Sequence, residues 1–170
     1  MPPLDLRDIV SDDEVEAVMG LRRGPGQDRY LGTMISHFED AIQHPEACAR
    51  KWSIHDRDTG RLVGFAMISD DIPQASLDAD DTLVGPYFLW RLLIDHRFLG
   101  RGYGRAAVFA VADHVRARPN GDVLYTSNAD GDGSPLPFYL GLGFVRTGRI
   151  SEGEEVLALD LRRTADGGPT

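Results

Sequence analysis

Leu92-Leu93-Ile94-Asp95-His96-Arg97-Phe98-Leu99-Gly100-Arg101-Gly102-Tyr103-Gly104 is the stretch on which the fold turns. Before it, Tyr87 to Asp95 is an almost unbroken apolar run, as in a strand covered on both faces. After it, Arg105 to Arg116 carries Ala106, Ala107, Val108, Phe109, Ala110, Val111, Ala112 and Val115, apolar nearly all round, which marks a buried helix. A strand, a glycine turn and a helix in that order leave unpaired backbone N–H groups at the helix start, where an anion fits. Glycines let such a ligand approach the backbone.

Charge sharpens that reading. The 170-residue chain holds 18 Lys+Arg against 27 Asp+Glu, a net charge of −9, and all but Lys51 of its basic residues are arginine. Yet Arg91 to Arg118 holds six arginines and two aspartates, a local +4. A phosphate or pyrophosphate is the natural ligand for Arg97, Arg101 and Arg105; the plainer alternative is a helix cap with solvated arginines. The acidic whole argues against a nucleic-acid partner and an anionic membrane surface. No run of 18 apolar residues predicts a membrane span. The first residues lack the basic and apolar regions of a signal peptide. Cys48 is the lone cysteine, which fits a reducing, cytoplasmic setting. The five histidines form no H-x-x-x-H or H-x-H pair, so no metal is expected.

Working outward, Leu4 to Val10 reads as a strand, and Ser11-Asp12-Asp13-Glu14 as a capping box opening a helix. Tyr30, Leu31, Met34, Ile35, Phe38 and Ile42 predict a second helix ending before Pro45. Lys51–Asp56 and Leu62–Ser69 are strands joined by a hairpin turn at Arg57-Asp58-Thr59-Gly60-Arg61. Asp70 to Asp81 reads as an acidic loop, in which Asp78-Ala79-Asp80-Asp81 is either a lure for a cation or solvated surface. Beyond the buried helix come a strand (Asp122–Ser127), a short helix (Ser134–Leu142) and a hairpin (Phe144–Ile150, Glu155–Leu161). Residues 1–163 are read as one domain and 164–170 as a polar tail.

Which phosphate motif is this? A Walker loop needs Gly-Lys-Ser/Thr, and none is present. Gly102 to Ala107 matches the dinucleotide pattern G-x-G-x-x-A, but Asp122 precedes the next strand instead of ending it. About 100 residues also come before the unit, and too few come after it to build a doubly wound sheet.

The stretch Leu92 to Gly104 resembles the core motif of the GNAT acetyltransferases, Gln/Arg-x-x-Gly-x-Gly/Ala at the start of a helix after a central strand. Phe138-Tyr139-Leu140-Gly141-Leu142-Gly143-Phe144 resembles their second signature, and Trp90-Arg91-Leu92 with the Gly-Tyr-Gly loop looks most like the polyamine and diamine members. The resemblance covers residues 4 to about 161. It implies an α/β fold, with a mostly antiparallel mixed sheet of six or seven strands, about four helices and the order β-α-α-β-β-β-α-β-α-β-β. One departure is Leu99, which stands where the motif has Gln or Arg.

The resemblance further implies acetyl-CoA as co-substrate. Its pyrophosphate would rest on the backbone N–H groups of Leu99, Gly100, Arg101, Gly102, Tyr103, Gly104 and Arg105. Its pantetheine arm would pair with the backbone of Leu92, Leu93 and Ile94, whose side chains read as core, where the strands bearing Ile94 and Tyr125 splay apart. Asn128 and Ser134 are implied cofactor contacts, each also open to a turn-forming role. Tyr139 is the implied acid that protonates the CoA thiolate, the alternative being a packed aromatic. The partner implied is a small-molecule amine, and the family leaves room for a homodimer. The base is unassigned: the central strand holds no acid before Trp90, no Glu lies between Glu46 and Glu152, and Glu39 or the Asp70-Asp71 pair are the candidates. A non-catalytic CoA-binding module is the alternative function.

Overall fold

Ser11 opens the first helix as its sequence requires. Its side chain accepts from Glu14 N (3.3 Å), and the Glu14 carboxylate accepts from Ser11 N (2.9 Å). The computed structural model describes residues 1–162; the polar tail expected at 164–170 lies outside the described residues. In chain order the elements are β1 (Leu4–Asp8), α1 (Asp12–Met19), α2 (Met34–Gln43), β2 (Ala49–Asp56), β3 (Leu62–Asp70), α3 (Gln74–Ala79), β4 (Tyr87–Ile94), α4 (Tyr103–Arg116), β5 (Val123–Asn128), α5 (Leu136–Gly141), β6 (Val145–Ser151) and β7 (Glu154–Asp160).

Two boundaries differ from expectation. Tyr30 and Leu31 fall on the apolar repeat, yet α2 begins only at Met34, because Thr33 caps it by accepting from Ser36 N (3.1 Å). The acidic loop contains the short helix α3, held by Gln74 Nε2 donating to Asp78 Oδ1 (2.8 Å). With no residue buried, α3 leaves no apolar period in the sequence.

The seven strands form one sheet in the order β1-β2-β3-β4-β5-β7-β6, antiparallel throughout except for β4 beside β5. Alternation along β3 divides the core. Ala66 and Ile68 face α4 together with Leu89, Val108, Val111 and Leu124, while Phe65 and Met67 face α1 and α2 with Val18, Met34 and Leu93. The sheet is thus covered on both sides, and no helix among the described residues is long and apolar enough to cross a membrane.

Two irregularities of β4 shape the centre of the sheet. Met67 pairs with Arg91 and Ile68 with Leu89, so Trp90 is an extra residue, a bulge. The bulge turns both Trp90 and Arg91 toward the α1/α2 side: Trp90 packs in that core, and Arg91 bonds to α2. The parallel ladder between β4 and β5 lasts only two pairs, Phe88 with Tyr125 and Leu89 with Thr126. Past Leu89 the two strands part.

Candidate active site

Where β4 and β5 diverge, the gap opens into a cavity of about 710 Å³. Trp90, Arg91 and Leu92 form one wall, Thr126, Ser127 and Asn128 the other, and Tyr139 and Glu154 also face it. The loop from Pro25 to Leu31 borders it, with Tyr30 donating to Asp132 O across the rim (2.6 Å). Thr126 fixes the fork of the gap: its hydroxyl donates to Leu89 O (2.9 Å) at the last ladder pair.

Tyr139 stands on α5, 8% exposed, its ring edge-on to Phe138 (5.2 Å) and Phe144 (5.3 Å). Burial pushes its phenol up to about 12; the neighbouring Thr126 hydroxyl opposes that rise and the Glu154 carboxylate adds to it. The phenol therefore keeps its proton at neutral pH. Asn128 is 2% exposed and its two ends are treated differently. Its Oδ1 accepts from Ser134 Oγ (2.6 Å), while its Nδ2 has no partner among the described residues and belongs to a side chain lining the gap. A buried amide N–H₂ without an acceptor suits a ligand carbonyl. Ser134 does not border the cavity; its hydroxyl serves Asn128 and accepts from Leu136 N (3.2 Å) at the start of α5.

The glycine loop adopts a form that only glycine accepts readily, with Gly100 at φ +72° and Gly102 at φ +83°. Gly102 is the N-cap of α4 without any side-chain cap. The first helical amide to bond within the chain is Ala106 N, to Gly102 O (3.0 Å), so the amides of Tyr103, Gly104 and Arg105 are the free N–H groups of a helix start. The Tyr103 side chain turns away, donating to Asp56 Oδ2 (2.5 Å). Arg101 lies over Phe98 beside the loop, while Arg105 lies over Phe109, one turn further along α4. Arg97 is engaged with Asp95 (2.7 Å). Leu99 is 40% exposed, while Leu93 and Ile94 are core residues on opposite faces of β4. Of the expected contacts, Leu92, Asn128 and Tyr139 share the cavity, and the glycine loop forms a separate surface beyond the open end of β4.

Neither expected source of a base reaches the gap. Asp70 is engaged by Arg50 (3.0 Å), His114 (3.2 Å) and Arg118 (3.4 Å), and Asp71 lies by Arg118 (3.7 Å). Glu39 is exposed on α2 and does not line the cavity. The sequence reading missed Thr126, Glu154 and the triad in which Arg91 donates to His37 Nδ1 (3.1 Å) and to Asp40 Oδ2 (3.0 Å). Burial, reinforced by the Arg91 charge, lowers His37 to about 4, so its ring is neutral and accepts that bond. Thr126 carried a readable signal, a polar residue at an inward position of an alternating strand; Glu154 carried none. Among the described residues no group of three or more His, Cys, Asp or Glu is placed to hold a metal ion.

Residues 15–144 match the model of the acetyltransferase (GNAT) family. The spermine/spermidine N(1)-acetyltransferase of Bacillus subtilis is 27% identical over 153 residues, spanning 89% of this chain and 95% of that protein. Two solved structures share the fold. The spermidine/spermine N-acetyltransferase SpeG of Vibrio cholerae, in complex with manganese ions, is 14% identical with a TM-score of 0.60, covering 94% of both chains. The structure described as AtaTR bound with AcCoA is 18% identical, also with a TM-score of 0.60 and 94% of both chains covered. The chain belongs to the GNAT family, as an acyl-CoA-dependent acetyltransferase.

Proposed function

We propose that the protein moves the acetyl group of acetyl-CoA to a small primary amine by direct attack, with Tyr139 protonating the departing thiolate. The observation that carries this reading is a buried phenol, protonated at neutral pH, facing the gap between two splayed strands. The parting of β4 from β5 leaves the backbone of Leu92 to Ile94 without a strand neighbour on the β5 side, an edge on which amides of a pantetheine arm can pair. Asn128 Nδ2 is available to one of those amides, and the amides of Tyr103 to Arg105 to the pyrophosphate. The exposed Leu99 contributes only its main chain, with Arg101 nearby as the charged contact. The similarity to a spermine/spermidine acetyltransferase supports a polyamine-like amine as acceptor.

The acidity of the phenol bears on the mechanism. In water a phenol near 10 gives its proton to a thiolate near 8.5 at modest cost. Here burial raises the phenol to about 12. A thiolate held against the buried phenol is desolvated with it, which raises its basicity as well. Donor and acceptor thus shift in the same direction and transfer stays accessible. The test is thiol release from acetyl-CoA against a panel of amines, polyamines included. Turnover with primary amines supports the reading. Tight CoA binding with no turnover on any amine favours a non-catalytic CoA-binding module.

A further inference from the structure

Glu154 stands at the first position of β7, on the face of the sheet that carries Ser127. Ser127 Oγ donates to Glu154 Oε2, which fixes the carboxylate. A second cavity, of about 420 Å³, adjoins the first, and Trp90, Arg91, Ser127 and Glu154 line both. Glu154 therefore sits at the passage between the gap that holds Tyr139 and a separate opening to solvent. The carboxylate is near enough to the phenol for its charge to bear on it. Arg91 is the cation at this passage, but its guanidinium donates to His37, Asp40 and Trp90 O. Among the described residues no cation forms an ion pair with Glu154. Beyond it, the second cavity is bordered by Glu46, Asp80 and Glu152, and among the described residues Arg91 is its one Arg or Lys.

We infer that Glu154 holds the acceptor as an alkylammonium ion entering through the second cavity, and takes the proton that must leave before attack. The inference rests on the amine-acceptor reading of the proposed function. An N–H bond of the ammonium breaks and its proton passes to the Glu154 carboxylate. The freed lone pair forms the C–N bond at the thioester carbonyl, and the C–S bond then breaks with its electron pair leaving on sulfur. Tyr139 protonates that thiolate, the new amide nitrogen returns a proton to the Tyr139 phenolate, and the proton on Glu154 goes to solvent. The products are the N-acetyl amine, CoA thiol and one proton. The other groups able to carry charge that line the second cavity are Arg91 from β4, already paired, His44 at the end of α2, and the carboxylates Glu46, Asp80 and Glu152, while the Tyr139 phenol stands on the side of the first cavity.

Glu154→Gln keeps an oxygen to accept from Ser127 and removes the charge. At pH 7, with spermidine or a short alkylamine as acceptor, kcat/KM should fall about 100-fold or more, the scale of a lost proton acceptor. The deficit should narrow about tenfold per pH unit toward pH 9, as free amine replaces ammonium in solution. Calorimetric affinity for CoA should match the wild type, which also shows that the variant is folded. If wild type turns over amines and Glu154→Gln is equally fast at pH 7, the Glu154 assignment is overturned while the amine reading stands. A deficit that stays constant from pH 7 to 9 also overturns the proton-acceptor role. A wild-type enzyme that turns over no amine overturns both.

Discussion

Tyr139→Phe removes one oxygen and keeps the ring. The edge contacts with Phe138 at 5.2 Å and Phe144 at 5.3 Å do not involve that oxygen, so packing persists. Its polar neighbour, the Thr126 hydroxyl, already donates to Leu89 O (2.9 Å) and keeps that acceptor in the variant. Stability should therefore change by no more than about 1 kcal/mol, the net worth of one hydrogen bond. The rate should change far more. A general acid contributes about 10²–10³ here, or about 3–4 kcal/mol of transition-state stabilisation. Thiol release under saturating acetyl-CoA and amine reads kcat directly, and urea denaturation reads stability. The affinity for acetyl-CoA should stay as in wild type, because the proton is shared with sulfur only as the C–S bond breaks. Since the phenol lies at about 12, wild-type kcat should show no descending limb from Tyr139 below about pH 11. A variant with full kcat would refute the acid role and leave Tyr139 a packed aromatic. Lowered affinity at unchanged kcat would place the hydroxyl in binding.

The glycine loop and two buried titratable groups give three more expected outcomes. Gly102→Val puts a β-branched residue at φ +83°, which should distort the loop and abolish acetyl-CoA binding in calorimetry while the circular dichroism of the fold persists; unchanged affinity would remove the phosphate from this loop. Burial would raise the Asp95 carboxyl, but the Arg97 guanidinium and the amides of Arg97 and Arg22 outweigh it and hold it at about 2. Its stabilisation is then complete above pH 3.8 and lost as pH falls through 2, so Asp95→Asn should cost about 2 kcal/mol in urea denaturation at pH 7 and little at pH 2; equal stability at pH 7 would count against this. His37 titrates at about 4 when folded, so the chain loses stability as pH falls from 6.5 through 4; His37→Gln should flatten that decline by up to about 3 kcal/mol between pH 7 and 4, and an unchanged slope would mean that another group titrates there.

The legible parts of the sequence were those where one local signal met no competitor. The capping box at Ser11, the apolar strand, the two glycines at positive φ and the paired final strands all appear where local chemistry puts them. Tyr30 and Leu31 failed because they share the apolar period of α2 although a capping Thr33 comes after them. Their repeat served a loop at the cavity rim instead of a helix face. The base candidates failed for a different reason. Asp70 is close in sequence to an acidic loop, but two arginines and a histidine converge on it from β2, the turn after α4, and α4. Glu154 comes near Tyr139 only because β7 crosses back to lie beside β5, a pairing between distant parts of the chain that no local pattern records.

Two defects in regular structure make the site. A complete parallel ladder between β4 and β5 would close the gap and satisfy the backbone on which the proposed pantetheine arm would pair. A regular β4 without its bulge would return either Trp90 or Arg91 to the α4 side. With the bulge, both remain on the α1/α2 side, where Arg91 closes against His37 and Asp40 instead of standing as a free cation at the acceptor's entrance. A neutral His37 is the condition for that arrangement. Its Nδ1 must accept from the Arg91 Nε–H, so a protonated ring would set two positive donors against each other. Burial sets the low His37 value and the Arg91 charge reinforces it, so the neutral ring and the orientation of Arg91 support each other. Acidification through pH 4 should loosen Arg91 at the passage before it unfolds the sheet, because the strands around the gap are held by the core on the α4 face.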